Sequence, residues 1–366
     1  MTDKHLFYLN MRFLTQRITG VQRFAFEITK ALDILLSDYP QLQLIGLLPN
    51  RAVSAQYQIY QYKNIILKPC GKLSGHLWEQ LELPYYSYNH VLINLCNVSP
   101  ILKSRKYIAL HDVIFMTTMD SQKWWFKAWY KLQVMTSKIT CKHWFTVSDF
   151  SKREIGKYLK IRFEHITVLG NAPSLNPLTP DSSILDKFAL QNQQFFLMIG
   201  SNSKRKNTQI VANVFKNNPI LRNIKLVIAG GRYANLGEVE EIAAKNIYYL
   251  DYVSDEQLLT LYKSAYALVF PSLYEGFGIP VIEAMGVGCP VIAADIPVLR
   301  EVCADSSIFF NPLSSVDLAE KICLVLDKSC RLKLSATSIL RATSYTWSKF
   351  AKIMLDKIIQ VEKNSK

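Results

Sequence analysis

One stretch constrains this chain more than any other, Pro271 to Asp295, which reads PSLYEGFGIPVIEAMGVGCPVIAAD. The apolar run Ala267–Phe270 just before it and Val291–Ala294 near its end have the length and composition of strands buried on both faces of a parallel sheet. Between them the pattern predicts a loop and a short helix. Gly276 and Gly278 let the backbone approach a ligand closely, and Pro280 is placed at the first helical position, where proline sacrifices no hydrogen bond. The helix therefore starts at the ligand. The N–H groups of Gly278, Ile279 and Val281, at the positive end of the helix dipole, suit phosphate or sugar oxygens. Gly286 and Gly288 then stop the helix.

Two carboxylates stand eight residues apart across this turn, Glu275 in the loop and Glu283 on the helix. A carboxylate accepts two or more hydroxyl hydrogen bonds, and sugars and riboses present neighbouring hydroxyls. With an anion site alongside, the arrangement points to a sugar nucleotide. A helix–strand unit with two merely solvated glutamates has no need of glycine, proline and acid at such demanding positions. The run EGFGIPVIEA resembles the E-x7-E signature of retaining glycosyltransferases of family 4, of bacterial polysaccharide and O-antigen type. The resemblance implies an α/β chain with the GT-B fold: two Rossmann-like doubly wound parallel-sheet domains facing a central cleft, with a C-terminal helix crossing back to the first. It also implies that Gly276, Phe277, Gly278, Ile279, Pro280, Val281 and Glu283 bind the donor and that Glu275 acts in catalysis.

Length and composition fit. A chain of 366 residues with 49% hydrophobic side chains supports two cores. Seven cysteines form no CxxC pair and no metal spacing, which suits a reducing compartment, and the expected location is the cytoplasm. The N-terminal MTDKHLFYLN does not read as a signal peptide, and nowhere do enough apolar residues run together to span a membrane. A net charge of +14, from 43 basic against 29 acidic residues, calls for an anionic partner: nucleic acid, anionic lipid or a phosphorylated substrate.

In chain order, Leu6–Leu9 reads as a strand and TGVQRFAFEITKAL as a helix opened by Gly20, with Val21, Phe24, Phe26, Ile28 and Leu32 on its apolar side. An anion near Gly20 would meet Arg17 and Arg23, which are equally at home as solvated charges. The same segment resembles the first strand-to-helix loop of family 4, where the glycine lies beside donor and acceptor. Further strands are expected at Leu44–Leu48, Asn64–Leu67, Val91–Leu95 and Tyr107–Leu110. Strands alternating with helices make a doubly wound parallel sheet, which binds ligands beyond the carboxyl ends of its strands. His111 and Asp112 fall at one such end. An imidazole there can bond a sugar hydroxyl or steady positive charge on the donor, oriented by Asp112; in family 4 the histidine at this point faces the donor sugar. Ser121 to Trp144 puts Lys123, Lys127 and Lys131 on one helical face and Trp125, Trp129, Leu132 and Val134 on a flank, a pattern that suits an anionic membrane surface as well as a core helix with a lysine edge.

Residues 171–190, rich in proline and serine, read as a linker. It parts an N-terminal acceptor-binding domain over 1–170, joined by the terminal helix over 347–366, from a nucleotide-sugar-binding domain over 191–346. That second domain opens with the strand Phe195–Ile199 and GSNSKRKNTQI, whose Lys204, Arg205 and Lys206 put positive charge where a diphosphate could sit. The resemblance to the family's R-K-N element singles out Arg205 and Lys206, and DYVSDEQLL resembles its G-Y-V-S-x-E-x-L segment, which places Tyr252 and Val253 near the nucleobase.

The combined reading is a retaining, metal-independent transferase. It moves a hexose or deoxyhexose, such as mannose, glucose or rhamnose, from a nucleoside-diphosphate donor to a lipid-linked glycan in O-antigen or lipopolysaccharide synthesis, at the inner face of the plasma membrane. Basic groups and a helix start stabilise the departing diphosphate, and no Asp-x-Asp motif accompanies them, so neither metal nor cofactor is expected. Another GT-B activity, a sugar-nucleotide epimerase or phosphorylase, is the enzymatic alternative. A nucleic-acid-binding protein is suggested by charge alone, without any recognisable module, and no nucleic-acid partner is expected.

Overall fold

The structure is a computed structural model describing residues 5–117, 124–175, 178–190, 194–200, 203–230 and 241–364. The chain divides into two compact units, Met1–Met116 with Lys123–Asn171 and Thr346–Lys366, and Ala172–Tyr345 with Thr117–Gln122.

The first unit is built on seven parallel strands: β1 (His5–Asn10), β2 (Leu42–Pro49), β3 (Ile65–Cys70), β4 (Val91–Asn94), β5 (Lys106–Ala109), β6 (Cys141–Thr146) and β7 (Ile166–Val168), in the order β3-β2-β1-β4-β5-β6-β7. The central strands β4 and β5 are buried at every residue, as a sheet covered on both faces requires. Helix Gly20–Leu35 buries Phe24, Phe26, Ile28 and Leu32. The chain winds outward from β1 to one edge and from β4 to the other, so the topological switch point lies between the carboxyl ends of β1 and β4. The terminal helix Trp347–Lys363 belongs to this unit, burying Phe350, Met354, Leu355 and Ile358. Its Glu362 accepts from Lys142 at 2.8 Å and from Tyr107 at 2.8 Å. Gly170, at φ +112°, makes room for Phe350: a Cβ there would stand 2.5 Å from the ring.

The second unit has six parallel strands, β8 (Phe195–Ile199), β9 (Lys225–Ala229), β10 (Ile247–Leu250), β11 (Leu268–Phe270), β12 (Val291–Ala294) and β13 (Ile308–Phe310), in the order β10-β9-β8-β11-β12-β13. Its switch point lies between β8 and β11. Strands β10 and β13 are not evident in the sequence because both are edge strands, short and only partly buried, without a continuous apolar run. Residues expected as a linker pack on this unit instead. Ser183–Lys187 is a helix, Ile184 and Leu190 are buried, and Asp181 accepts from Gln257 at 3.2 Å. Two aliphatic side chains supply the anchorage.

Candidate active site

Two loops meet at the switch point of the second sheet, one leaving β8 and one leaving β11. Lys204–Lys206 forms a single tight turn, and Asn207, left-handed at φ +52°, hands the chain to helix Thr208–Asn217 while its amide donates to Pro312 O at 2.8 Å. Arg205 is tied to the opposite loop twice: its carbonyl accepts from Leu273 N–H at 2.9 Å and its Nη1 donates to Tyr274 O at 2.9 Å. Glu275 Oε1 then receives both cations, Arg205 Nη1 at 2.8 Å and Lys206 Nζ at 2.7 Å. Lys206 also lies 5.1 Å from the centre of the Phe270 ring. Burial alone would raise the Glu275 carboxyl, but the Lys206 ammonium and Arg205 guanidinium reverse it and hold the group down at about 2. Burial pushes Lys206 below the ordinary lysine range, with Glu275 opposing. Two cations against one ionised carboxylate leave the cluster net positive, as an anion site requires. The strand ends also touch: a Cβ on Gly230 (φ +155°) would fall 2.1 Å from Gly200 O, so backbone comes close where a side chain would block it.

Helix Ile279–Gly286 starts beside this cluster, capped by Gly278 at φ +103°. Pro280 occupies its second position, not the first, because Ile279 is already helical. Of the three expected N–H donors, Val281 is committed to the helix's own first turn, donating to Gly278 O at 2.9 Å. Glu283 is buried at 4% exposure, and Tyr262 OH donates to its Oε2 at 3.4 Å. Phe277 packs edge-on against Tyr345 at 5.6 Å. Tyr252 is exposed and Val253 partly buried in the loop after β10, just before Ser254, which caps helix Asp255–Ser264 in a reciprocal box with Gln257. The second unit thus brings Arg205, Lys206 and Glu275 into direct contact, with Gly276 and Gly278 on the loop that follows.

In the first unit Gly20 is the first residue of its helix, Arg17 is exposed and Arg23 partly buried. His111 lies beyond the carboxyl end of β5, edge-on to Phe24 at 4.6 Å. Its Nε2 is 3.2 Å from Leu95 O and its backbone N–H donates to Asn97 Oδ1 at 2.7 Å. Burial lowers its pKa to about 4, opposed by the Leu95 bond. The ring is therefore neutral at neutral pH, and Nε2–H facing a carbonyl leaves Nδ1 as an acceptor. Leu95 and Asn97 hold this residue, whereas Asp112 Oδ1 accepts from Ile114 N–H at 3.1 Å in the following turn.

A second ion cluster has no counterpart in the motifs. Arg12 Nη2 pairs with Glu79 Oε2 at 3.0 Å, and Asn10, the last residue of β1, donates to Glu79 Oε1 at 2.8 Å and to Asn94, the last of β4, at 3.1 Å. Burial would raise the Glu79 carboxyl; Arg12, His76 and Asn10 bring it below its ordinary value. Asparagine closing two neighbouring strands was the available sequence signal.

Helix Trp124–Thr140 buries Gln133, Val134 and Ser137, with Ser137 Oγ 3.1 Å from Ser99 Oγ. Its aromatic flank faces outward: Trp124 and Trp125 are exposed, as are Lys131, Leu132, Met135 and Ile139, while Lys127 and Trp129 are partly buried. Lys123 lies outside the described residues. Among the described residues no helix is long and apolar enough to cross a membrane, and no group of three or more His, Cys, Asp or Glu side chains is placed to hold a metal ion.

Residues 183–339 match the family model described as glycosyl transferases group 1. The O-antigen chain mannosyltransferase RfbU of Salmonella typhimurium is 34% identical over 221 residues, 58% of this chain and 58% of that protein. The O-antigen chain mannosyltransferase B of Escherichia coli is 32% identical over 214 residues, 55% of this chain and 56% of that protein. The chain is thus matched to less than two thirds of these relatives' length. Among solved structures, HepE of Anabaena in complex with UDP-glucose superposes with a TM-score of 0.73 at 14% identity, over 97% of this chain and 99% of that one. At that identity the likeness is one of fold.

Proposed function

From a chain with the GT-B fold, whose residues 183–339 form a domain of the glycosyl transferases group 1 family, we propose that it is a retaining family 4 transferase, moving a hexose or deoxyhexose, mannose first among them, from a nucleoside-diphosphate donor to a glycan. The observation that carries the reading is the Arg205–Lys206–Glu275 cluster at the switch point of the second sheet. Fixed cations at a strand end stabilise charge developing on a leaving diphosphate without reorganising at the moment of reaction. Glu275, ionised throughout the working range, holds both cations in place and offers a carboxylate to sugar hydroxyls. Neutral His111 offers an acceptor nitrogen to a hydroxyl, and Glu283 is assigned to the nucleotide's ribose. No metal enters this scheme. The test is a screen of nucleotide sugars with the purified chain by mass spectrometry, with and without acceptor, beginning with GDP-mannose. Transfer with retained anomeric configuration and undiminished by chelator is expected; turnover of no donor, or product formed without acceptor, overturns it.

The acceptor is read as a lipid-linked intermediate of O-antigen synthesis, met at the cytoplasmic face of the plasma membrane. Support comes from the outward Trp124, Trp125 and Ile139 beside Lys131, in a chain of charge +14. Each lysine near an anionic surface adds about 1 kcal/mol. Sedimentation with anionic liposomes should be lost with Lys127→Gln and Lys131→Gln together, or in high salt; equal, negligible binding to anionic and neutral liposomes removes the membrane claim alone.

A further inference from the structure

The segment between β3 and β4 carries three costly features within a few residues, all at the carboxyl end of the first sheet. Gly75 is left-handed at φ +59°, a conformation that other side chains adopt at a cost. The helix starting at Gly75–Leu77 is then π-wound over Trp78–Glu82, with Leu83 N–H donating to Trp78 O five residues back. Pro84, which cannot donate to Gln80, accounts for the widened turn. Finally Glu79, on the first π-wound turn, is buried in an ion pair with Arg12. Such pairs seldom add net stability over apolar packing, and π-turns concentrate at functional sites.

The network has one member that reaches solvent. His76 Nδ1 lies 3.4 Å from Glu79 Oε2, and its side chain is half exposed. Glu79 Oε1 accepts from Asn10, while Oε2 meets Arg12 and His76 as charge contacts and has no hydrogen-bond partner of good geometry. The carboxylate is buried, so the half-exposed His76 is the member that can reach a ligand. With Nδ1 turned to the carboxylate, Nε2 stands on the far side of the ring. Its partner Glu79 is bonded to Asn10 at the carboxyl end of β1, one of the two strands that flank the switch point where doubly wound sheets bind ligands. We propose that His76 is a hydrogen-bonding contact for a hydroxyl-bearing sugar on the first unit, and that Glu79, fixed by Arg12 and Asn10, is its positioning residue. The inference rests on the glycosyl-transfer reading only in calling that sugar the acceptor.

The test uses the full chain labelled with 15N,13C-histidine, titrated with methyl α-mannoside, methyl α-glucoside and methyl α-rhamnoside as probes. One glycoside should shift the His76 ring resonances saturably. His76→Asn should weaken its binding about tenfold, as loss of one good hydrogen bond does, and leave nucleoside diphosphate affinity unchanged. Glu79→Gln should weaken glycoside binding and move the His76 ring resonances of the unliganded chain. Should that variant fail to fold, His76→Asn, at a half-exposed site, decides alone. No saturable shift with any of the three glycosides, or unchanged affinity in His76→Asn, overturns the inference. Turnover of a nucleotide sugar by the parent chain is scored separately: turnover with a silent His76 sinks only this contact, and a responsive His76 without turnover sinks only the transfer reading.

Discussion

The two sheets carry the same device at the same topological place and use it differently. In each, a cation on the loop leaving the first strand of the unit pairs with a glutamate near the carboxyl ends that flank the switch point: Arg12 with Glu79, and Arg205 and Lys206 with Glu275. In the first unit the pair is closed: its side chains are 9% and 2% exposed, Oε1 accepts from Asn10 and Oε2 lies against Arg12 and His76. In the second it is open: Arg205 is 24% exposed, and two cations share one carboxylate oxygen. A closed one-to-one pair fixes geometry, whereas an open pair with surplus positive charge retains attraction for an anion. Substitutions should therefore register as stability in the first unit and as ligand binding in the second.

The largest expected effect follows directly. Arg12→Met leaves Glu79 as an uncompensated buried charge, which costs about 3–5 kcal/mol, and the double change Arg12→Met with Glu79→Met should recover most of it. All six tryptophans, Trp78, Trp124, Trp125, Trp129, Trp144 and Trp347, lie in the first unit. Denaturant titration followed by tryptophan fluorescence thus reads this unit alone. A midpoint unmoved by Arg12→Met would break the comparison at its first term.

Acid should separate the units as well. All six histidines lie in the first unit, and two are buried: His111, lowered to about 4 by burial, and His143, lowered to about 3 by burial and by the positive charge of Lys357. An unfolded imidazole takes its proton near pH 6.5. Protonation hence favours the unfolded chain, and stability present above about 6.5 is lost as pH falls toward 4 and then 3. One pKa unit is worth about 1.4 kcal/mol, so these histidines contribute on the order of 3 to 5 kcal/mol each over that fall. Glu275 behaves differently. Its depressed pKa supplies stability above the ordinary carboxylate value near 4.5, lost only as pH falls toward 2. Fluorescence should report unfolding of the first unit at a pH where far-UV circular dichroism still shows the second unit's helices. Coincident acid transitions would show that the histidines do not govern the difference.

In the second unit, Glu275→Gln keeps the shape and removes the charge that gathers Arg205 and Lys206. Losing a charge-assisted bond costs about 1.5–3 kcal/mol, roughly ten- to a hundredfold in transfer rate. Neutralising Arg205 and Lys206 should weaken the free nucleoside diphosphate as well as the donor, read by calorimetry. Parent-level transfer by folded Glu275→Gln would remove the catalytic assignment.

What the sequence disclosed follows the same line. The second unit's candidate site was legible because its residues sit in one local run and one basic turn, where glycine and proline mark the backbone and the acids stand at fixed spacing; the contact of Arg205 and Lys206 with Glu275 is what the structure adds. Glu79 belongs to a segment that carries no motif, and its partners Arg12 and Asn10, the latter bonded in turn to Asn94, are brought to it only by the order of the strands. Long-range pairing of polar residues leaves no period in the chain. His111 was legible as a strand-end residue, but its support by Leu95 and Asn97 depends on a left-handed turn at Asn97, φ +65°. The outward aromatic face of Trp124–Thr140 was ambiguous for a related reason: small and polar Gln133 and Ser137 face the interior, inverting the usual helical pattern.

The smallest effect sharpens the contrast within the second unit. Glu283 is as deeply buried as the residues of the closed cluster, yet Tyr262 OH reaches it at 3.4 Å, the long end of a hydrogen bond. Tyr262→Phe removes that bond with little change of volume, and a bond so long should contribute at most about 0.5–1 kcal/mol. If Glu283 serves the ribose, the loss appears as two- to fivefold weaker nucleoside diphosphate binding, with the fluorescence-detected stability of the first unit unchanged. The same variant assayed with the 2′-deoxy nucleotide should show no further loss, because the hydroxyl that Glu283 would receive is absent. An equal penalty on both nucleotides would place Glu283 with the closed, structural pairs and leave Glu275 as the acid that meets the donor.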